Sequence, residues 1–278
     1  MQFRKLTQSI ERKGLGLHSG REFRLTIEPS NEALRLEVGG TCLPLPQLAL
    51  EGTGRGSDLI FPGGNRVRTC EHVLSALTGL GVWYGKLSVT GEFPLEMPGL
   101  DGCSWDLADE IMKKSTPIES DNEKRLPFAL KYPIHVGDAK RFVVALPSDS
   151  FHVTYVIQYD SPHIRTQIFD YSGHMDYLKE IATARTFALR SEIEALRAAG
   201  LALGGSLDNA ILVDDDGVKT TGGLRFPNEF VRHKILDMLG DLACLGRPLL
   251  AHVIAVRAGH ALHLQLVERL RAASRSDF

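Results

Sequence analysis

The segment Val231-Arg-His-Lys-Ile-Leu-Asp-Met-Leu-Gly-Asp241 constrains the fold most, because its residues sort into two faces of opposite character once wound as a helix. At about 100° per residue, Val231, Ile235, Met238, Leu239 and Leu242 form one apolar stripe, and His233, Asp237 and Asp241 stand opposite. Pro227 suits a first helical position, and Gly246 and Pro248 mark the end. The spacing predicts a helix whose polar groups stay outside the core, with Gly240 beside His233 leaving room for a ligand. His233 and Asp237 fall one turn apart on one face, where they can grip a metal.

Alone, such a pair describes a solvated helix face. Two further constellations change that reading. Thr69-Cys-Glu-His72 opens an apolar-periodic helix through Val73, Ala76, Leu77 and Leu80, and Arg257-Ala-Gly-His260 closes an apolar, strand-like run that begins near Leu249. His72, His233 and Asp237 together make a two-histidine, one-carboxylate set, the donor set of hydrolytic zinc centres. Zinc at such a set polarises a carbonyl and acidifies water. Glu71, pointing away from its neighbour His72, is then the natural general base, and His260 is left as a general acid or a positive charge beside the developing oxyanion. The donor set also suits Fe2+. The H-E-x-x-H pattern of metalloproteases is absent, so this zinc chemistry belongs to another lineage.

Six ordered motifs carry a resemblance: Gly14-Leu-Gly-Leu-His-Ser-Gly20, Thr69-Cys-Glu-His-Val-Leu-Ser-Ala-Leu77, Ala184-Arg-Thr-Phe187, Leu203-Gly-Gly-Ser-Leu-Asp-Asn-Ala210, Phe230-Val-Arg-His-Lys-Ile-Leu-Asp237 and Ala258-Gly-His-Ala-Leu262. They span nearly the whole chain, which resembles the UDP-3-O-acyl-N-acetylglucosamine deacetylase family, whose enzymes remove an acetyl group from an acylated UDP-sugar in lipid A biosynthesis. The resemblance implies an α+β fold of two similar domains, each a layered sheet and helix pair, with the zinc site in the cleft between them. It implies His72, His233 and Asp237 as metal ligands, Glu71 as base, His260 as acid or electrostatic partner, and Thr186 as a hydroxyl donor to the oxyanion. Lys234 and Asp241 become supporting groups near the substrate and His260. The stretch from about 186 to 213, with Ile193, Gly205 and Ser206, becomes the wall of a hydrophobic passage for the acyl chain, with Phe187 at its entrance. His18 falls near the sugar or diphosphate, a turn histidine being the alternative.

Domains of 1–116 and 127–278 are expected, joined by a linker at 117–126 that overlaps the polar, aperiodic stretch Lys113 to Arg125. The formal charge of −2 and the lack of a basic block argue against a nucleic-acid partner. No run approaches the ~20 apolar residues of a membrane span, and the N-terminus lacks a signal-peptide core, so a cytoplasmic protein is expected, a monomer with at most transient membrane-surface contact. Cys42, Cys70, Cys103 and Cys244 lack C-x-x-C spacing and read as free thiols. The other histidines, His263 among them, have no partner spacing that raises them above surface or core residues.

Two segments depart from the family pattern: glycine-rich Gly52-Thr-Gly-Arg-Gly-Ser57, and Glu92 to Ser104, lengthened by about three residues on a hairpin-like connection. Neither is expected to reach a proposed ligand; both bear on substrate identity. Two other readings follow from that: a related deacetylase for another N-acetylated amino sugar, and a catalytically silent sensor of an acylated sugar nucleotide. Retention of Glu71 beside all three ligands counts against the sensor.

Overall fold

The computed structural model describes residues 2–118 and 127–275. Period-two alternation gives the first sheet: strand Glu22–Ala33 turns Phe23, Leu25 and Ile27 inward, pairing with Ile10–Leu15 on one side and Tyr84–Gly91 on the other. Arg35–Val38 and Thr41–Pro44 complete five strands. A four-stranded sheet orders Leu95–Glu96, Arg66–Arg68, Ser57–Ile60 and Ala49–Gly52. The later chain builds a six-stranded sheet in which Leu249–Val256 lies between Phe142–Pro147 and His152–Gln158. A three-stranded sheet holds Phe187–Leu189, Ile211–Asp214 and Gly217–Lys219.

Among the described residues, five α-helices complete the mixed α/β architecture: α1 (Glu71–Gly79), α2 (Trp105–Lys113), α3 (Arg190–Ala198), α4 (Glu229–Ala243) and α5 (His260–Arg275). Helix α1 packs against α4, α2 against α1, and α5 against α4. Buried apolar residues of the early and late sheets join one core, with Val73 and Leu77 of α1 and Leu236 and Leu239 of α4 among its members. Among the described residues, no helix is long and apolar enough to cross a membrane.

Three expectations change. Helix α4 is not half-solvated: His233, Asp237 and Asp241 are buried at 2%, 1% and 0% exposure, because a second helix covers the polar face. Gly240 does not make room for a ligand. A Cβ there would lie 1.9 Å from the Glu71 carbonyl oxygen, so the missing side chain lets α1 and α4 cross backbone to backbone. The helix also begins at Glu229, after Asn228 rather than at Pro227. Within the expected linker stretch, Ser115–Pro117 is a strand paired with Arg4–Leu6, and positions 119–126 lie outside the described residues.

Candidate metal centre and active site

Two turns aim the site. Thr69 at φ 55° and Arg257 at φ 49° occupy the left-handed region just ahead of α1 and α5, delivering Glu71-His72 and His260 at helix starts. Non-glycine residues held there store about 1–3 kcal/mol each, supplied by the surrounding fold.

The crossing at Gly240 sets His72 against α4. His72 Nε2 lies 3.5 Å and His233 Nε2 3.3 Å from Asp237 Oδ1. Donors about 2.0–2.2 Å from a shared tetrahedral ion stand about 3.4 Å apart, so the spacing fits one divalent cation. Asp237 Oδ1 is buried with no hydrogen-bond partner, an arrangement a cation would satisfy. His233 Nδ1 donates to the Ala184 carbonyl at 3.1 Å, which leaves its Nε2 lone pair facing the other donors. Lys234 Nζ donates to Asp237 Oδ2 at 2.6 Å. Burial alone would raise Asp237, but His233, Lys234, His260 and His72 around it hold its carboxyl well below the usual range. Burial pushes His233 down to about 3, keeping the imidazole neutral.

Glu71 is 2% exposed, and burial pushes its carboxyl up against the pull of His260 and His72. Its Oε2 accepts the Ser57 backbone N–H at 3.0 Å. His260 presents Nε2 toward Asp237 at 3.6 Å while Nδ1 donates to Asp241 Oδ2 at 2.9 Å. Burial lowers His260, yet the charges of Asp241, Asp237 and Glu71 outweigh it and bring the imidazole up to about 9.

A cavity of about 50 Å³ is lined by Glu71, His72, Thr186, Phe187, His233, Lys234, Asp237 and His260 together. Asp241 sits behind it. Thr186 is fixed by its backbone, donating to Gly102 O and accepting from Ile211 N, each at 2.8 Å. Its neighbour Arg185 is 2% exposed and forms a buried pair with Glu229, Nε to Oε1 at 2.9 Å. Phe187 and Thr186 also line a second, largely apolar cavity of about 280 Å³ that includes His18, Ile193, Leu196, Gly205 and Ser206. Arg55, Arg141, Lys234 and Arg257 line a third, polar cavity of about 470 Å³ that reaches His260.

Sequence reasoning missed Ser57. Its N–H holds Glu71, its hydroxyl donates to Asp241 Oδ1 at 2.5 Å, and the same Ser57 hydroxyl oxygen lies 3.1 Å from His260 Nδ1. It also missed Arg55, Arg141 and Arg257. The two departing segments do reach the centre. Ser57 ends the first, and Ser104 of the second donates its hydroxyl to the His72 carbonyl at 2.8 Å. In that second segment the Glu96 carboxylate, 1% exposed, takes the N–H groups of His18 and Ser19 at 2.7 and 2.9 Å.

A buried pair of imidazoles and a carboxylate, with a second carboxylate and a third imidazole at hand, defines the donor class of metal-dependent hydrolases. The chain belongs to the UDP-3-O-acyl N-acetylglycosamine deacetylase family, whose profile matches residues 4–272. It is similar to the UDP-3-O-acyl-N-acetylglucosamine deacetylase of Acidithiobacillus ferrooxidans, 38% identical over 96% of this chain and 89% of that protein. The proteins of the same name from Syntrophus aciditrophicus and Leptospira biflexa are each 36% identical, over 96% and 95% of this chain and 85% and 87% of theirs.

Proposed function

We propose that this chain hydrolyses the N-acetyl group of UDP-3-O-acyl-N-acetylglucosamine in lipid A biosynthesis, with Zn2+ held by His72, His233 and Asp237. The convergence of those donors on an unpartnered, buried Asp237 oxygen, within a cavity that Glu71 and His260 share, carries the reading. The bound ion supplies Lewis acidity at the acetamide carbonyl.

The protein supplies the proton chemistry. Ser57 ties Glu71 Oε2, so Oε1 takes the proton of the attacking water. The Thr186 hydroxyl, held at the cavity wall, donates to the developing oxyanion. His260, with Nδ1 committed to Asp241, has Nε2 available to protonate the departing amine. Lys234 neutralises Asp237. The acyl chain occupies the apolar cavity past Phe187, and the diphosphate meets the cations Arg55, Arg141 and Arg257. On this reading α1 and α4 face each other across the junction of two α+β domains. A cytoplasmic, single-chain enzyme goes with it, an expectation that rests on the sequence.

The test is acetate release from acylated and unacylated UDP-N-acetylglucosamine compared side by side, with metal content measured. Strong preference for the acylated form supports the assignment. Equal turnover of both removes the passage from it, and bound zinc without turnover of either removes catalysis.

A further inference from the structure

Asp241 lies one layer behind the reacting groups, and its carboxylate serves more than His260. His263, one turn further along α5 and 1% exposed, brings Nδ1 to within 2.7 Å of Asp241 Oδ2. Its Nε2 lies 2.9 Å from the Tyr155 hydroxyl, and the two rings meet edge to face at 5.8 Å. An ionised carboxylate only accepts hydrogen bonds, so both imidazoles present Nδ1–H to Asp241. The tautomer of His263 follows: its Nε2 is an acceptor, and Tyr155 donates to it. Burial lowers the pKa of His263, consistent with a neutral ring. With the Ser57 hydroxyl on Oδ1, three donors from two parts of the chain, Ser57 and the start of α5, surround a carboxylate of 0% exposure.

We propose that His263 and Tyr155 are positioning residues for the deacetylation, fixing the rotation of Asp241 and through it the His260 imidazole that faces the cavity. The proposal rests on the deacetylase reading above. Because Oδ2 is shared, Asp241 cannot turn away from His260 without also leaving His263. The chain Tyr155–His263–Asp241–His260 ties the strand His152–Gln158 to the reacting groups across α5 and α4. Losing the His263 donor frees that rotation, and His260 loses its fixed aim. Outer partners that orient reacting side chains are worth about 10–100-fold, and a shift of about 1 Å can cost about 100-fold.

The experiment compares His263→Asn, whose amide N–H can replace Nδ1–H, with His263→Leu, which fills similar space without a donor, and with Tyr155→Phe. Each purified protein is read for kcat, KM on the acylated UDP-sugar, metal content and Tm. His263→Leu is expected to lower kcat about 10–100-fold at unchanged KM and metal content, while His263→Asn stays within about threefold of the parent. Tyr155→Phe should lower kcat about three- to tenfold. Parent kcat in His263→Leu overturns the proposal, as does an equal loss in His263→Asn or a loss confined to KM or metal content. Should His263→Leu fail to fold, Tyr155→Phe decides: parent kcat overturns the proposal, and reduced kcat at parent KM supports it. A parent protein that releases no acetate strikes the deacetylase reading instead.

Discussion

In the proposed mechanism the two oxygens of the Glu71 carboxylate have different duties. Oε2 is occupied by the Ser57 N–H, and the Cβ that Gly56 lacks would stand 3.0 Å from Oε1, so the bare backbone there leaves Oε1 its space. Glu71→Gln keeps the shape and the Ser57 contact but removes the proton acceptor. Turnover of the acylated UDP-sugar should fall about 10²–10⁴-fold, the usual worth of a positioned base, while metal content stays at the parent level. Full turnover would remove Glu71 from the proton path; loss of metal would make its role structural. Glu71, His72, His233 and Asp237 are legible in the sequence because their relation is local, set by neighbouring and i,i+4 positions on helices. Ser57 is not, since its partner Asp241 lies 184 residues away and a serine after glycines reads as a turn. His263 left a signal, an i,i+3 relation to His260 that puts both on one face, but only the fold brings Asp241 between them.

Helix α4 is the element on which the site depends, and its periodicity divides apolar from polar residues without saying what covers each. An amphipathic pattern normally means one wet face. Here α1 lies over the polar face, so the boundaries of α1, α2 and the main strands follow from propensity and alternation while the burial of α4 does not. Gly240 is where the difference has consequences. An added methyl would meet the Glu71 carbonyl at 1.9 Å, a backbone atom that cannot swing aside. Overpacking of this kind costs about 1–3 kcal/mol, with the backbone contact favouring the upper end. Gly240→Ala should therefore lower Tm by several degrees and, by pushing His72 away from His233 and Asp237, weaken retention of metal on dialysis. Gly173→Ala is the control, because its nearest neighbour is the Phe151 carbonyl at 3.5 Å, an ordinary contact. Parent Tm and parent metal retention in Gly240→Ala would show that the helices can separate without harm to the centre.

At the scale of the whole molecule, the reacting groups and the apolar cavity come from opposite ends of the chain and share walls. Leu17 and Arg55 from the early sequence line both cavities with Thr186 and Phe187, and Arg55 reaches across to Glu192 of α3 at 3.0 Å. The family resemblance implies that the stretch 186–213 walls the acyl passage, yet the closing of its far wall by the loop around His18 is a tertiary fact. Leu203 N–H and Gly204 N–H donate to the His18 and Leu17 carbonyls at 3.0 and 3.1 Å, locking the two segments together. A substrate whose acyl chain fills this passage gains about 0.8 kcal/mol for each methylene buried, roughly fourfold in binding. Ile193→Trp tests that, since a larger ring on α3 takes up space inside the cavity without touching Glu71 or the three donors. The expected result is a fall of at least tenfold in kcat/KM for the acylated UDP-sugar, equivalent to about two methylenes displaced. Any turnover of unacylated UDP-N-acetylglucosamine should be unchanged, as should metal content. A shorter acyl chain should recover part of the loss. Equal losses on both substrates would mean that α3 supports the catalytic cavity itself, and no loss on either would place the acyl chain elsewhere on the molecule.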